Sequence, residues 1–103
     1  MGVAKELEVA KGEIAKIKAL VDKTLVSDAK KAAEVVAKKL DTIIANFNKK
    51  MSLNMSNIQK LDTAITDLIK ALSATPYQSK KALDAIGLAT TTANAAVTAA
   101  KTD

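Results

Sequence analysis

The chain has 103 residues, a net charge of +5 and 16 basic residues that are all lysines. It contains no Cys and no His, which excludes disulfides, cysteine nucleophiles and imidazole acid–base chemistry and removes the usual ligands of zinc, haem and iron–sulfur centres. The length predicts a single domain over residues 1–103, and the abundance of Ala, Lys and Leu beside three glycines and one proline predicts that the domain is all-α.

The first two helices are predicted over about residues 2–25 and 28–50. Apolar residues recur in both at alternating spacings of four and three, which places them on one helical face. Ser27 is a good N-cap for the second helix, and Asp28 would follow in its first turn, where the helix dipole favours a negative charge. The predicted core residues are Val3, Leu7, Ala10, Ile14, Ile17 and Val21, then Ala29, Ala33, Val36, Leu40, Ile43 and Phe47.

The stretch KKMSLNMSN at residues 49–57 leaves two architectures open. Its apolar stripe keeps helical phase through Met51 and Met55, and it contains no Gly or Pro, so one continuous helix over 28–74 is allowed. The first and last helices would then fold back along the two halves of a long central helix, as a helical hairpin.

Polar residues in the same stretch favour the other architecture. Ser and Asn prefer caps and turns to helix interiors, and Ser56 with Gln59 matches a capping box. We therefore expect a break near residues 51–55 and a third helix over about 56–74. Short connections between four similar helices predict an antiparallel up-down four-helix bundle.

The last helix is predicted over about residues 76–101. Thr75 as the N-cap, Pro76 at the first helical position and Gln78 two residues later indicate where it begins. Its core-facing stripe is mostly alanine after Ile86, and alanines bury little area, so we expect this helix to be the least stable element.

The midpoint also holds the candidate partner-binding residues. Four asparagines cluster around Phe47, and they either serve turns or form part of an interaction surface. Methionine side chains adapt to different partners, so an exposed apolar anchor in this region would suit protein binding. The predicted partner-binding residues are Phe47, Met51, Met55, Asn57 and Ile58.

The segment FNKKMSLNMSNIQKLDTAITDLI, residues 47–69, carries Phe47, Asn57, Ile58 and Leu68 in a helical pattern. In these residues it resembles the small helical-hairpin proteins of type VII secretion, and among them the partner proteins that escort larger toxins. The WxG turn of that group is missing, and isoleucine stands at both positions where partner proteins show a Phe and, four residues later, an Asp. The resemblance implies a small protein that binds a larger secreted one.

Together these features predict a non-enzymatic helical-bundle protein that acts through protein–protein interaction, as a small secretion partner or adaptor would. The acidic residues are scattered singly, which disfavours catalysis. Two alternatives stay open. One is a self-assembling structural subunit, because alanine-rich stripes suit close helix packing. The other is an amphipathic lipid-surface binder, although the chain has few of the bulky aromatic residues that membrane surfaces favour.

We expect no cofactor, no metal ion and no small-molecule substrate. Nucleic-acid binding is disfavoured because acidic residues interrupt the lysine pairs Lys30–Lys31 and Lys38–Lys39, and because arginine, the commonest reader of base edges, is absent. No segment has the length and composition of a signal peptide or a transmembrane helix, which predicts a soluble protein that is cytoplasmic or exported by a leaderless route.

Overall fold

The computed structural model describes residues 2–46 and 52–102, with the side chains of residues 3–46 and 55–101. Over these residues the chain forms four α-helices and no strand. Each helix packs against the one before it and the one after it, and the last helix closes the ring against the first. The helices are α1 Gly2–Asp22, α2 Val26–Asn46, α3 Ser52–Ser73 and α4 Ser79–Thr102.

The four helices form a short rod. Its extents are 42 × 19 × 18 Å and its Cα radius of gyration is 13.3 Å. Helices of 21–24 residues are roughly 32–36 Å long, so each runs most of the length of the rod and consecutive helices are antiparallel. The predicted all-α, up-down four-helix bundle is therefore confirmed.

The midpoint of the chain separates two helices. Because α2 and α3 pack against each other, the continuous helix over 28–74 does not form. The third helix begins at Ser52, one turn earlier than predicted, so Ser56 lies inside α3 and the predicted capping box is wrong. The apolar stripe explains the difference, because the extra turn places Met55 in helical phase and half-buries its side chain.

The core contains the apolar stripes predicted for α1, α2 and α4, together with the apolar face of α3. Large residues come from α1, α2 and α3, whereas α4 supplies mostly alanine beside Ile86. Among the predicted core residues, Val3 is half-buried against this core and Phe47 lies outside the described residues. The largest fully buried side chains are Leu7, Ile14, Ile17, Val36, Leu40, Ile58, Leu61, Ile65, Leu68 and Ile86.

A Schellman motif ends α1. Thr24 has a φ of 62°, in the left-handed region, and its N–H donates to the carbonyl of Val21 at 2.9 Å. The N–H of Leu25 donates to the carbonyl of Leu20, also at 2.9 Å. These bonds satisfy carbonyls that the end of a helix otherwise leaves unpaired, so α1 stops at Asp22 rather than near residue 25.

The same turn determines where α2 begins. The N–H of Ala29 donates to the carbonyl of Leu25 at 2.9 Å, which makes Leu25 the N-cap and Val26 the first helical residue. The prediction of Ser27 as the N-cap is therefore wrong. Asp28 still lies in the first turn, where its negative charge faces the positive end of the helix dipole.

The helix α4 begins at Ser79, three residues after the predicted start. The N–H of Ala82 donates to the carbonyl of Gln78 at 3.3 Å, so Gln78 is the N-cap and the assignment of Thr75 to that position is wrong. Tyr77 packs against the core from the connection between α3 and α4. Packing of this large ring outweighs a local cap signal that is worth about 1 kcal/mol.

Candidate interaction surface

The structure divides the residues predicted to bind a partner. Met55 and Asn57 are half-buried, and Phe47 and Met51 lie outside the described residues. Ile58 is fully buried, because it continues the stripe of α3 that faces the core. Ile58 therefore has no surface to offer a partner while the bundle is folded, which corrects its assignment.

Large apolar side chains are exposed elsewhere. Val9 and Val35 are 49% and 48% exposed, and they line the same groove between α1 and α2. Leu83 and Leu88 are exposed on α4, and Leu25 is exposed in the connection between α1 and α2. Exposed apolar residues are ordinary when they stand singly, so the shared position of the two valines is the informative feature.

The α1–α2 groove is the surface between these two helices. Its floor is Ile43, which is 7% exposed and belongs to the core, and its two valines come one from each helix. The groove forms because each helix carries a second row of residues beside its core stripe, spaced by three or four along the chain. The lining residues are Glu6 and Val9 from α1, and Val35, Lys38, Lys39, Thr42 and Ile43 from α2.

The two sides of the groove carry opposite charges. An ion pair joins Lys39 Nζ to Glu13 Oε1 at 2.7 Å, and thus links α2 to α1 beside the valines. Glu6 adds a second carboxylate on the α1 side, and Lys38 adds a second ammonium group on the α2 side. Among the described residues these two groups form no ion pair, so they are available to a partner.

A second depression lies between α3 and α4, and most of the residues that line it have polar or charged side chains. Ser56, Gln59 and Thr63 line it from α3, and Leu88 borders it from α4. Only isolated charges from Lys60 and Asp67 reach it. Among the described residues, no group of three His, Cys, Asp or Glu side chains could hold a metal ion.

Two carboxyl groups meet across α2 and α3. Burial, a hydrogen bond with Asp41 and the negative charge of Asp41, in that order of size, together raise the pKa of Asp62 from 3.8 to about 6. Neither residue lines the grooves described above. This pair is therefore placed to influence the stability of the α2–α3 contact.

The sequence prediction missed the α1–α2 groove. Val9 and Val35 are apolar residues outside the core stripes. At helical spacing, Val9 is flanked by glutamates and Val35 is followed by lysines. That pattern was visible in the sequence. The pairing of α1 with α2 around a common depression becomes visible only in the folded ring of helices.

The fold and this surface define the class of protein as an antiparallel four-helix bundle with a charged, valine-lined groove on one face. Comparison with family models, curated proteins and solved structures gives no match. Over the described residues, none of the helices combines the length and hydropathy needed to cross a bilayer.

Proposed function

We propose that this chain is a non-enzymatic protein that acts through protein–protein contact, and that the α1–α2 groove is its contact surface. The observation that carries the proposal is the pair Val9 and Val35, each about half exposed above an apolar floor. Water against these side chains is released when a partner covers them. The opposite charges on the two sides of the groove would orient that partner.

The distribution of polar groups supports a binding role over catalysis. A catalytic site needs polar groups that converge in a pocket, whereas the groove places its carboxylates on one helix and its lysines on the other. Among the described residues, Asp62 is the one carboxyl group whose pKa is strongly perturbed, and it lies at the α2–α3 contact outside the groove.

The other functions considered from the sequence have less support. A lipid-surface binder would present bulky apolar residues along a continuous helical face, whereas the exposed valines here lie in a groove flanked by charges. The resemblance to secretion partners adds no described residue to the groove, because none of residues 55–69 lines it.

Photo-crosslinking in the cells that make the chain tests this proposal. A photoreactive residue replaces Val35 in the groove, and in a matched control it replaces Leu88, an exposed apolar residue on α4. We expect a protein adduct of defined mass at position 35 and none at position 88. The adducted protein, once identified and purified, should bind the wild-type chain at least about tenfold more tightly than the Val35→Asp variant.

Two results would contradict the proposal. One is the absence of any protein adduct at position 35. The other is an equal yield at positions 35 and 88, which would indicate random collision rather than binding in the groove.

A further inference from the structure

We propose that the occupant of the α1–α2 groove is a second copy of this chain, related to the first by a two-fold axis along the groove. This inference rests on the proposed function and names the partner for the same surface. In this arrangement α1 of each copy lies over α2 of the other, and the interface uses the same patch twice.

The charges of the groove support this symmetry. The α1 side carries Glu6 and Glu13, and the α2 side carries Lys38 and Lys39. A two-fold axis along the groove brings the acidic side of each copy over the basic side of the other. An axis across the groove would instead place α1 over α1 and α2 over α2, which opposes like charges.

A second pair of charges follows the same rule. Glu13 and Lys39 lie at the same level of the bundle, because their side chains form an ion pair. Lys16 lies about one turn beyond Glu13, and Glu34 lies just over one turn beyond Lys39 in the same direction, since the helices are antiparallel. Both are exposed. The axis along the groove therefore brings Lys16 of one copy close to the level of Glu34 of the other.

The apolar part of the interface would contain four valines. The two-fold axis along the groove keeps each residue at its own level of the rod, so Val9 of one copy lies across the axis from Val9 of the other, and Val35 from Val35. All four are about half exposed in the single chain. Gly12 lies on α1 beside this region, and no neighbouring atom lies within 4 Å of the position that a Cβ would occupy there. The backbone of α1 is thus open to close approach at this level.

The size of the face indicates how strong such a dimer would be. A face of the rod measures 42 × 18 Å, which is a projected area of about 750 Å², close to the roughly 800 Å² per partner that standard stable interfaces bury. The whole face must therefore take part. With four valines as its main apolar contact, the dimer should be reversible, with a Kd in the micromolar range.

Sedimentation equilibrium of the full chain over a concentration series tests the inference. We expect the mass to rise from 10.8 kDa towards twice that value. Val35→Asp, which buries an unpaired charge in the interface, should weaken dimerisation at least about tenfold. The control Leu88→Asp, at a more exposed apolar residue on another face, should dimerise like the wild type.

Charge reversal tests the symmetry itself. Lys16→Glu and Glu34→Lys should each weaken the dimer, and the double variant should recover most of the wild-type affinity, since it restores opposite charges across the axis. Circular dichroism of each variant verifies that the bundle is folded. A dimer that is equally strong in both single variants and in the double variant would overturn the two-fold axis along the groove.

The remaining outcomes separate this inference from the proposed function. A mass of one chain at all concentrations overturns the inference, as does a dimer that withstands Val35→Asp. If position 35 then crosslinks to a different protein, the groove is still a contact surface and only the identity of the partner was wrong. If position 35 crosslinks to nothing, both proposals fail.

Discussion

Thr24 holds a backbone conformation that β-branched residues rarely adopt. Its φ of 62° is the left-handed geometry that the Schellman motif requires, and glycine adopts this geometry without the steric cost of a Cβ. We expect Thr24→Gly to raise the free energy of unfolding by about 1 kcal/mol, measured by urea denaturation. Thr66→Gly, at an exposed site inside α3, is the control and should lower it. A loss of stability in Thr24→Gly would contradict the assigned turn.

The hydroxyl of Tyr77 is buried without a hydrogen-bond partner among the described residues. An unsatisfied buried hydroxyl is unfavourable, and phenylalanine has the same ring without it. Tyr77→Phe should therefore leave the free energy of unfolding unchanged or raise it by up to about 1–2 kcal/mol. Tyr77→Ala should lower it, because the packing of the ring against the core is lost. A loss in the Phe variant would show that the hydroxyl has a partner.

The carboxyl pair Asp41–Asp62 makes stability depend on pH. Because the pKa of Asp62 is raised from 3.8 to about 6, the folded state binds this proton more tightly than the unfolded state does. The contribution of Asp62 is therefore most favourable below about pH 4 and is lost as the pH rises through about 6. Thermal unfolding between pH 4 and pH 7.5 would show this loss.

Replacement of either carboxyl tests the same pair. Solvent screens the repulsion between Asp41 and Asp62, because Asp62 is only half-buried. We therefore expect Asp62→Asn to stabilise the bundle at pH 7 by roughly 1 kcal/mol, which is less than the free energy that the whole pKa shift represents. Asp41→Asn should give a similar gain, and the double variant should add little to either. Full additivity of the two gains would mean that the carboxyl groups do not interact.

At the scale of single elements, α3 contains the largest correction to the sequence prediction. The sequence predicts that Ile58 binds a partner, whereas the structure buries it fully in the core. Ile58→Ala should therefore lower the free energy of unfolding by about 2–5 kcal/mol, measured by urea denaturation. Met55→Ala, at a half-buried position of the same helix, is the matched control and should lower the free energy of unfolding less. A loss below about 1 kcal/mol at Ile58 would contradict its place in the core.

The helices themselves were predictable from the sequence, and their ends were not. Alternating spacings of four and three identified the core faces of α1 and α2, because burial repeats with the period of the helix. Cap signals failed at Ser27, Ser56 and Thr75. Each signal contributes about 1 kcal/mol. The turn at Thr24 outweighed it for α2, the apolar stripe through Met55 for α3, and the packing of Tyr77 for α4.

At the scale of the whole molecule, the order of helices around the bundle decides which residues share a surface. The sequence predicted the number of helices and the up-down arrangement, and the confirmed bundle excludes the extended hairpin. The sequence prediction placed the candidate surface at the midpoint of the chain, where the polar residues are densest. The groove escaped prediction because Val9 and Val35 lie 26 residues apart in the chain and come together only when α1 packs on α2.

The measurement that most directly tests contact between two copies at the α1–α2 groove is a dilution series in which the amide chemical shifts are recorded by NMR at each concentration. We predict concentration-dependent shifts along the outer faces of α1 and α2, centred on Val9 and Val35, with α4 unchanged from Gly87 to Thr98. In the Val35→Asp variant the same shifts should require at least about tenfold higher protein concentrations. If no concentration-dependent shifts are seen, or if they are centred on α4, the proposed contact between two copies at the α1–α2 groove is contradicted.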